Sequence, residues 1–124
     1  LIMDSGQMER AEAVLRSVDE LCAAYLHGSA AKGALRADSD VDVALLLFPG
    51  RVLPPDTRFK LAAELECIFG RAVDLGLLKT GNLIYAREVL AHGKLIFSRS
   101  SLESDRFMAQ ALSMYAELQR SRRE

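Results

Sequence analysis

Two aspartates lie two residues apart at the start of an apolar segment of this 124-residue chain, and ten residues separate them from a preceding Gly-Ser pair. The aspartates are Asp40 and Asp42, and the segment covers residues 41–48. Side chains two apart on a strand point to the same face, so the two carboxylates converge and repel each other. A Mg²⁺ ion relieves this repulsion, because it prefers carboxylate oxygens and shares its coordination shell with phosphates. The spacing predicts a metal site for a phosphorylated substrate, and the alternative is a solvated turn that leads into a strand.

A third carboxylate, Asp74, interrupts the apolar strand that we predict over residues 71–78. If this strand lies beside the strand over residues 41–48, the Asp74 side chain completes a cluster of three acids. Such a cluster can hold two metal ions a few ångströms apart for an in-line displacement at phosphorus. The alternative for Asp74 is a carboxylate that faces water at the end of a strand.

The Gly28-Ser29 pair has features that suit a phosphate group. Glycine lets the backbone approach a ligand closely, and the start of a following helix offers unpaired N–H groups to an anion. Ser29 adds a hydroxyl donor, although it can equally serve as a helix cap. Lys32 and Arg36 can add positive charge against the phosphates, and surface solubility charges are the alternative for both. A nucleoside triphosphate tail is the expected ligand of this segment.

The segments that must position these residues alternate between helix and strand. Helical spacing of apolar residues, with caps and glycine stops, predicts helices over residues 8–20, 57–69, 83–92 and 101–119, and a short one after Ser29. Apolar runs predict strands over residues 21–27, 41–48, 71–78 and 94–97, the last at a sheet edge. Asp4 or Ser5 is the expected cap of the first helix, and Asp56 that of the second. Alternating short strands and helices indicate one α/β or α+β domain over residues 1–124, with residues 1–7 flexible and a frayed basic tail at 120–124.

Composition limits the classes of function. Half of the residues are hydrophobic, which is enough for a single core, and 16 basic against 17 acidic residues give a net charge of −1. This balance gives no strong case for nucleic-acid binding. No apolar run approaches the roughly 18 residues that span a bilayer. Cys22 and Cys67 lie in apolar segments, so we expect buried free thiols and a cytoplasmic setting.

The spacing of Gly28-Ser29 and Asp40-Val41-Asp42 resembles the G-S-x10-D-x-D signature of the DNA polymerase beta nucleotidyltransferase superfamily. The short chain and the later Asp74 are similar to its minimal nucleotidyltransferase (MNT) branch. The resemblance extends through residues 85–97 and the closing helix. One position departs from the pattern, because Lys32-Gly33 stands where many members have Arg-Gly. Lysine keeps the charge but loses the bidentate phosphate geometry of arginine.

The resemblance implies a fold and a mechanism. The fold would be a small mixed sheet flanked by helices. Asp40 and Asp42 would bind both of two Mg²⁺ ions, and Asp74 would bind one and help to deprotonate the attacking hydroxyl. Gly28 and Ser29 would hold the β and γ phosphates of ATP, so that AMP passes to the acceptor and pyrophosphate leaves.

The resemblance also implies a partner, since MNT proteins are similar to the antitoxins of HEPN/MNT toxin–antitoxin pairs. The acceptor would be a tyrosine of a cognate HEPN toxin, held in a hetero-oligomer. Two alternatives stay open at this point. The domain could neutralise its toxin by contact alone, with a vestigial site, or it could modify a small molecule. The apolar surface that meets a partner would lie on the last helix or on residues 83–92.

Overall fold

The structure, a computed structural model, describes residues 4–28, 31 and 40–123 of the chain. Its strands are β1 (Leu21–His27), β2 (Val41–Leu47), β3 (Val73–Leu77) and β4 (Lys94–Ser98). Its helices are α1 (Ser5–Arg16), α2 (Pro55–Phe69), α3 (Leu83–His92) and α4 (Ser101–Arg123). The predicted bounds of β1 and α3 are confirmed, whereas the short helix predicted after Ser29 lies outside the described residues.

The four strands form one mixed sheet in the order β3-β2-β1-β4. β1 is antiparallel to both β2 and β4, and β2 is parallel to β3. A parallel neighbour requires a crossover connection, and α2 supplies it between β2 and β3. The mixed α/β fold is therefore confirmed, and so is the edge position of β4.

Helices cover both faces of this sheet, which explains why β2 is apolar nearly throughout. Val43 and Leu45 on one face belong to a core with α1 and α2, which contribute Leu15 and Leu65 among others. Ala44 lies on the other face, in a second core that includes residues of α3 and α4. A strand buried on both faces carries a continuous apolar run instead of an alternating one, as predicted for this segment.

α1 begins three residues earlier than predicted, because Asp4 and Gln7 form a capping box. The Asp4 carboxylate accepts the backbone N–H of Gln7 at 2.7 Å, and the Gln7 side chain accepts the backbone N–H of Asp4 at 3.1 Å. Two of the unpaired N–H groups at the helix start are satisfied in this way. The predicted cap at Asp4 is confirmed, and the predicted start at residue 8 is wrong.

The predicted cap of α2 is also wrong. The helix begins at Pro55, with Pro54 as the N-cap residue and no side-chain cap, so Asp56 lies within the first turn. Proline suits this position, because its fixed φ is already helical and its missing N–H would have no partner there. The helix ends at Gly70 with φ +68°, as predicted.

The two cysteines differ in exposure. Both thiols are free, as predicted, and Cys22 is fully buried, but Cys67 is exposed. The prediction of a buried Cys67 is wrong because α2 turns Leu65 and Phe69 toward the core, which leaves the residue between them on the solvent side.

α4 is held at its start by Ser100, whose hydroxyl accepts the backbone N–H of Glu103 at 3.3 Å. The helix continues to Arg123, four residues beyond its predicted end and into the segment expected to fray. Among the residues that the structure describes, no helix is long and apolar enough to cross a membrane.

Candidate active site

The parallel register of β2 and β3 brings Asp74 to the aspartate pair. Asp42 and Asp74 are direct Cα partners across the two strands, so their side chains lie on the same face of the sheet. Asp40 lies one residue before β2. Asp42 is partly buried, whereas Asp40 and Asp74 are exposed. The predicted neighbourhood of the three acids therefore follows from the order and register of the strands.

Gly28 lies against the same carboxylate from the other side. It follows β1, whose last residue His27 is the Cα partner of Asp42. Gly28 adopts φ +65°, and a Cβ at this position would lie 2.7 Å from Asp42 Oδ2. The glycine thus lets the backbone approach the carboxylate closely. Ser29, Lys32 and Arg36 lie outside the described residues, and their roles at phosphate stay predictions.

The surroundings of Asp42 disfavour its charge. Burial raises the pKa of this carboxyl above its usual value, the positive potential of His27 lowers it, and the charges of Asp74 and Asp40 raise it further. A divalent cation at this position would remove much of the repulsion among the acids and favour the ionised form.

Three carboxylates are the hard oxygen donors that Mg²⁺ binds, so the residue types fit this ion. In the part of the chain that the structure describes, no group of three or more His, Cys, Asp or Glu side chains converges on a common point suited to a metal. The strands place Asp40, Asp42 and Asp74 as neighbours at one end of the sheet. Their metal-binding roles remain predictions.

A tyrosine that sequence reasoning missed lies beside the acids. The ring of Tyr85, from α3, meets the ring of His27 edge to face, with 5.3 Å between centroids and 85° between planes. Burial raises the pKa of Tyr85, Asp74 and Asp42 raise it further, and Arg58 lowers it. The Tyr85 hydroxyl lies against Gly76 of β3. A glycine inside an apolar strand often marks a place where another group comes close to the backbone, so Gly76 was the one hint of this contact in the sequence.

Arg58 of α2 lies at the open edge of β3, where its guanidinium donates a hydrogen bond to the carbonyl of Leu75. The same edge borders a shallow hollow of about 380 Å³ that includes Arg58, Phe59 and Asp74. Asp74 is exposed and contributes to the lining of this hollow at the edge of the sheet, although the register turns its side chain toward the face that α3 covers.

A larger cavity of about 560 Å³ lies away from the acids, near the far ends of β2 and β3. Its lining includes Leu47, Leu77 and Phe107, together with the cations Arg51 and Arg106. None of the four predicted site residues that the structure describes, Gly28, Asp40, Asp42 and Asp74, lines it. The reactive groups of the candidate site thus lie at the amino ends of the two parallel strands, opposite this cavity.

A family model described as "Polymerase beta, Nucleotidyltransferase" matches residues 9–102 of the chain. The chain belongs to this family. The match spans β1 to β4 and includes Gly28, Asp40, Asp42 and Asp74. It confirms the superfamily and the nucleotidyltransferase class predicted from the sequence.

Named relatives refine the comparison within the family. The protein adenylyltransferase MntA of Shewanella oneidensis is 28% identical over 106 residues, which cover 86% of this chain and 74% of that protein. A crystal structure of a toxin–antitoxin with AMP-PNP contains a chain with 27% identity and a TM-score of 0.79, matched over 94% of this chain and 92% of that one. A complex of tri-AMPylated Shewanella oneidensis HEPN toxin with MNT antitoxin matches with 25% identity and a TM-score of 0.75, over 98% and 93%. The resemblance to MNT antitoxins is therefore confirmed.

Proposed function

We propose that this chain is a Mg²⁺-dependent nucleotidyltransferase that moves AMP from ATP to a tyrosine of a cognate HEPN toxin and acts as its antitoxin. The observation that carries the proposal is the register of Asp42 with Asp74, beside Asp40 and Gly28. Support for the substrate and partner comes from the relatives, which include a protein adenylyltransferase, a complex with an ATP analogue and an AMPylated toxin. A cytoplasmic site of action stays a prediction.

Each acid has a place in this reaction. Asp40, Asp42 and Asp74 would hold the magnesium, which when bound neutralises charge on the phosphates. Asp42 is partly buried, so among the three acids it would bind the ion on the side that faces the protein interior. Gly28 would admit the triphosphate next to Asp42, because no side chain intervenes there.

Asp74 is exposed, which favours it as the group that receives the acceptor's proton. The tyrosine oxygen would form a bond to the α-phosphorus as the bond to the bridging oxygen breaks. The proton passes to the carboxylate of Asp74, and pyrophosphate leaves with the electron pair. Positioning and charge neutralisation carry most of the rate in this class of reaction.

The test is incubation with ATP labelled in the α-phosphate, Mg²⁺ and the HEPN protein encoded beside this chain. We expect label on the toxin with the wild type and no label with Asp42→Ala. Asp19→Ala, which removes an exposed carboxylate from the turn after α1, is the matched control and should transfer at the wild-type rate. No transfer by the wild type, or equal transfer by Asp42→Ala, rejects the proposal.

The second candidate is an antitoxin that acts by binding alone. The observation in its favour is that the similar solved structures are complexes of a toxin with its antitoxin. A variant with both Asp40→Ala and Asp42→Ala separates the two functions in cells that express the toxin. Full protection by this variant favours binding alone, and loss of protection favours transfer.

A further inference from the structure

We propose that the hydroxyl of Tyr85 positions the carboxylates of Asp42 and Asp74 for a divalent cation, an inference that rests on the metal-binding part of the proposed function. Tyr85 lies on α3, which packs on the face of the sheet that carries both acids. Its role would be to orient the metal ligands. It would not touch the reacting atoms.

The strand register places the Tyr85 hydroxyl beside both acids. The hydroxyl lies over Gly76, which follows Asp74 by two residues and therefore shares its face. The Cα partner of Gly76 in β2 is Ala44, which follows Asp42 by two residues. The hydroxyl thus lies over a residue pair that is two positions along the strands from Asp42 and Asp74, on the same face of the sheet.

Contacts on two sides hold the ring in this place. On the β1 side it meets the ring of His27 edge to face, an arrangement that aromatic pairs prefer. On the β3 side, a Cβ at Gly76 would lie 2.8 Å from Tyr85 Cζ and closer still to the hydroxyl. The φ of Gly76 is not positive, so its backbone does not require glycine. The absent side chain instead makes room for Tyr85.

The hydroxyl has the chemistry of a donor toward carboxylates. A tyrosine hydroxyl carries its hydrogen at neutral pH, and a carboxylate oxygen can accept that hydrogen. No three acidic side chains of the described residues form a ready group for a metal, and a donor fixed beside Asp42 and Asp74 can select the rotamers in which the two carboxylates share a cation. Groups of this kind orient metal ligands, and their loss typically lowers metal affinity about 10- to 100-fold.

The experiment measures binding of Mn²⁺ alone to the full chain, with free Mn²⁺ followed by electron paramagnetic resonance. We expect Tyr85→Phe to raise the dissociation constant about 10-fold, because it removes the donor and keeps the ring. Tyr115→Phe is the control, since it removes a hydroxyl of α4 that accepts a bond from Gln119 at 2.8 Å. An unchanged dissociation constant in Tyr85→Phe overturns the inference. The inference is also overturned if Asp42→Ala binds Mn²⁺ as the wild type does, or if the wild type does not bind Mn²⁺.

A double-mutant cycle separates positioning from general loss of packing. Gly76→Ala should raise the Mn²⁺ dissociation constant, because its Cβ displaces the Tyr85 hydroxyl. In the Tyr85→Phe background the new Cβ still meets the ring, 2.8 Å from Cζ, but it should raise the dissociation constant little further, since the donor is already gone. A higher Mg²⁺ concentration should restore AMP transfer by Tyr85→Phe. The melting temperature of this variant in EDTA should equal that of the wild type. Independent effects of the two substitutions overturn the inference.

The two proposals fail in different ways. If the wild type transfers AMP and Tyr85→Phe binds Mn²⁺ normally, the positioning role is wrong and the proposed function stands. If Mn²⁺ binding depends on both Asp42 and Tyr85 while no AMP is transferred, the positioning role stands and the transferase function is wrong.

Discussion

Gly28 meets two requirements that other residue types do not meet together. Its φ of +65° lies in the left-handed region, where a Cβ is strained, and its missing Cβ leaves room for Asp42 Oδ2. The first requirement concerns stability and the second concerns the site. A second glycine that shares only the first requirement allows the two to be separated.

Gly28→Ala should lower both stability and activity. The left-handed backbone costs roughly 1–2 kcal/mol with alanine, and the new Cβ displaces the carboxylate of Asp42. Gly70→Ala is the matched control, because Gly70 has φ +68° and no atom within 4 Å of the added Cβ. Urea unfolding should show similar losses for both variants, while AMP transfer falls only in Gly28→Ala. Equal transfer rates would contradict the role given to Gly28.

Asp42→Asn should stabilise the metal-free protein at neutral pH and strongly lower its activity. Burial, Asp74 and Asp40 raise the pKa of Asp42 above its ordinary 3.8, against the effect of His27. The folded state therefore binds this proton more tightly than the unfolded state does. That stabilisation is fully present below pH 3.8 and is lost as the pH rises through the higher folded pKa.

Thermal melts in EDTA across this pH range test the sign. The wild type should lose stability relative to Asp42→Asn as the pH rises. In a separate assay, AMP transfer by Asp42→Asn should be roughly 100-fold or more slower than by the wild type, because the variant lacks a metal ligand. An Asn variant that melts below the wild type at neutral pH in EDTA would show that the Asp42 charge stabilises the fold.

At the scale of elements, the sequence predicted β2 and β3 as strands but did not predict that they are neighbours in the sheet. Apolar runs identified both strands, and the interrupting Asp74 was visible as a charge among them. The order of strands depends on how α2 crosses the sheet, and local patterns do not contain this information. For the same reason the sequence did not reveal Tyr85, whose place beside the acids depends on the packing of α3.

Ser104 is expected to hold α4 on the sheet. Its buried hydroxyl lies 2.9 Å from Ser98 Oγ, and it also forms a hydrogen bond with the hydroxyl of Tyr25. Removal of a buried partner of this kind costs about 1–3 kcal/mol. Ser104→Ala should therefore lower the free energy of unfolding by that amount in urea, whereas Ser113→Ala, on the exposed side of α4, should change it by less than about 0.5 kcal/mol. Equal losses would show that the contact does not anchor the helix.

At the scale of the whole molecule, two cores on opposite faces of one sheet support a site at the amino ends of two parallel strands. Hydrophobic periodicity predicted these eight elements to within four residues at each end, because each buries a distinct apolar face or run. The largest differences are at the ends of α1 and α4, four residues each, and α1 stops at Arg16 because residues 17–20 form the turn before β1. A proline start at α2 left no side-chain cap to detect.

AMP transfer by Asp74→Asn tests the central claim most directly, because only the strand register brings Asp74 to Asp42. The measurement is the initial rate of label transfer from α-labelled ATP to the HEPN partner. Asp56→Asn is the control, since it neutralises an exposed acid in the first turn of α2. We predict a loss of roughly 100-fold or more for Asp74→Asn and an unchanged rate for Asp56→Asn. Transfer by Asp74→Asn at the wild-type rate would contradict the three-acid site.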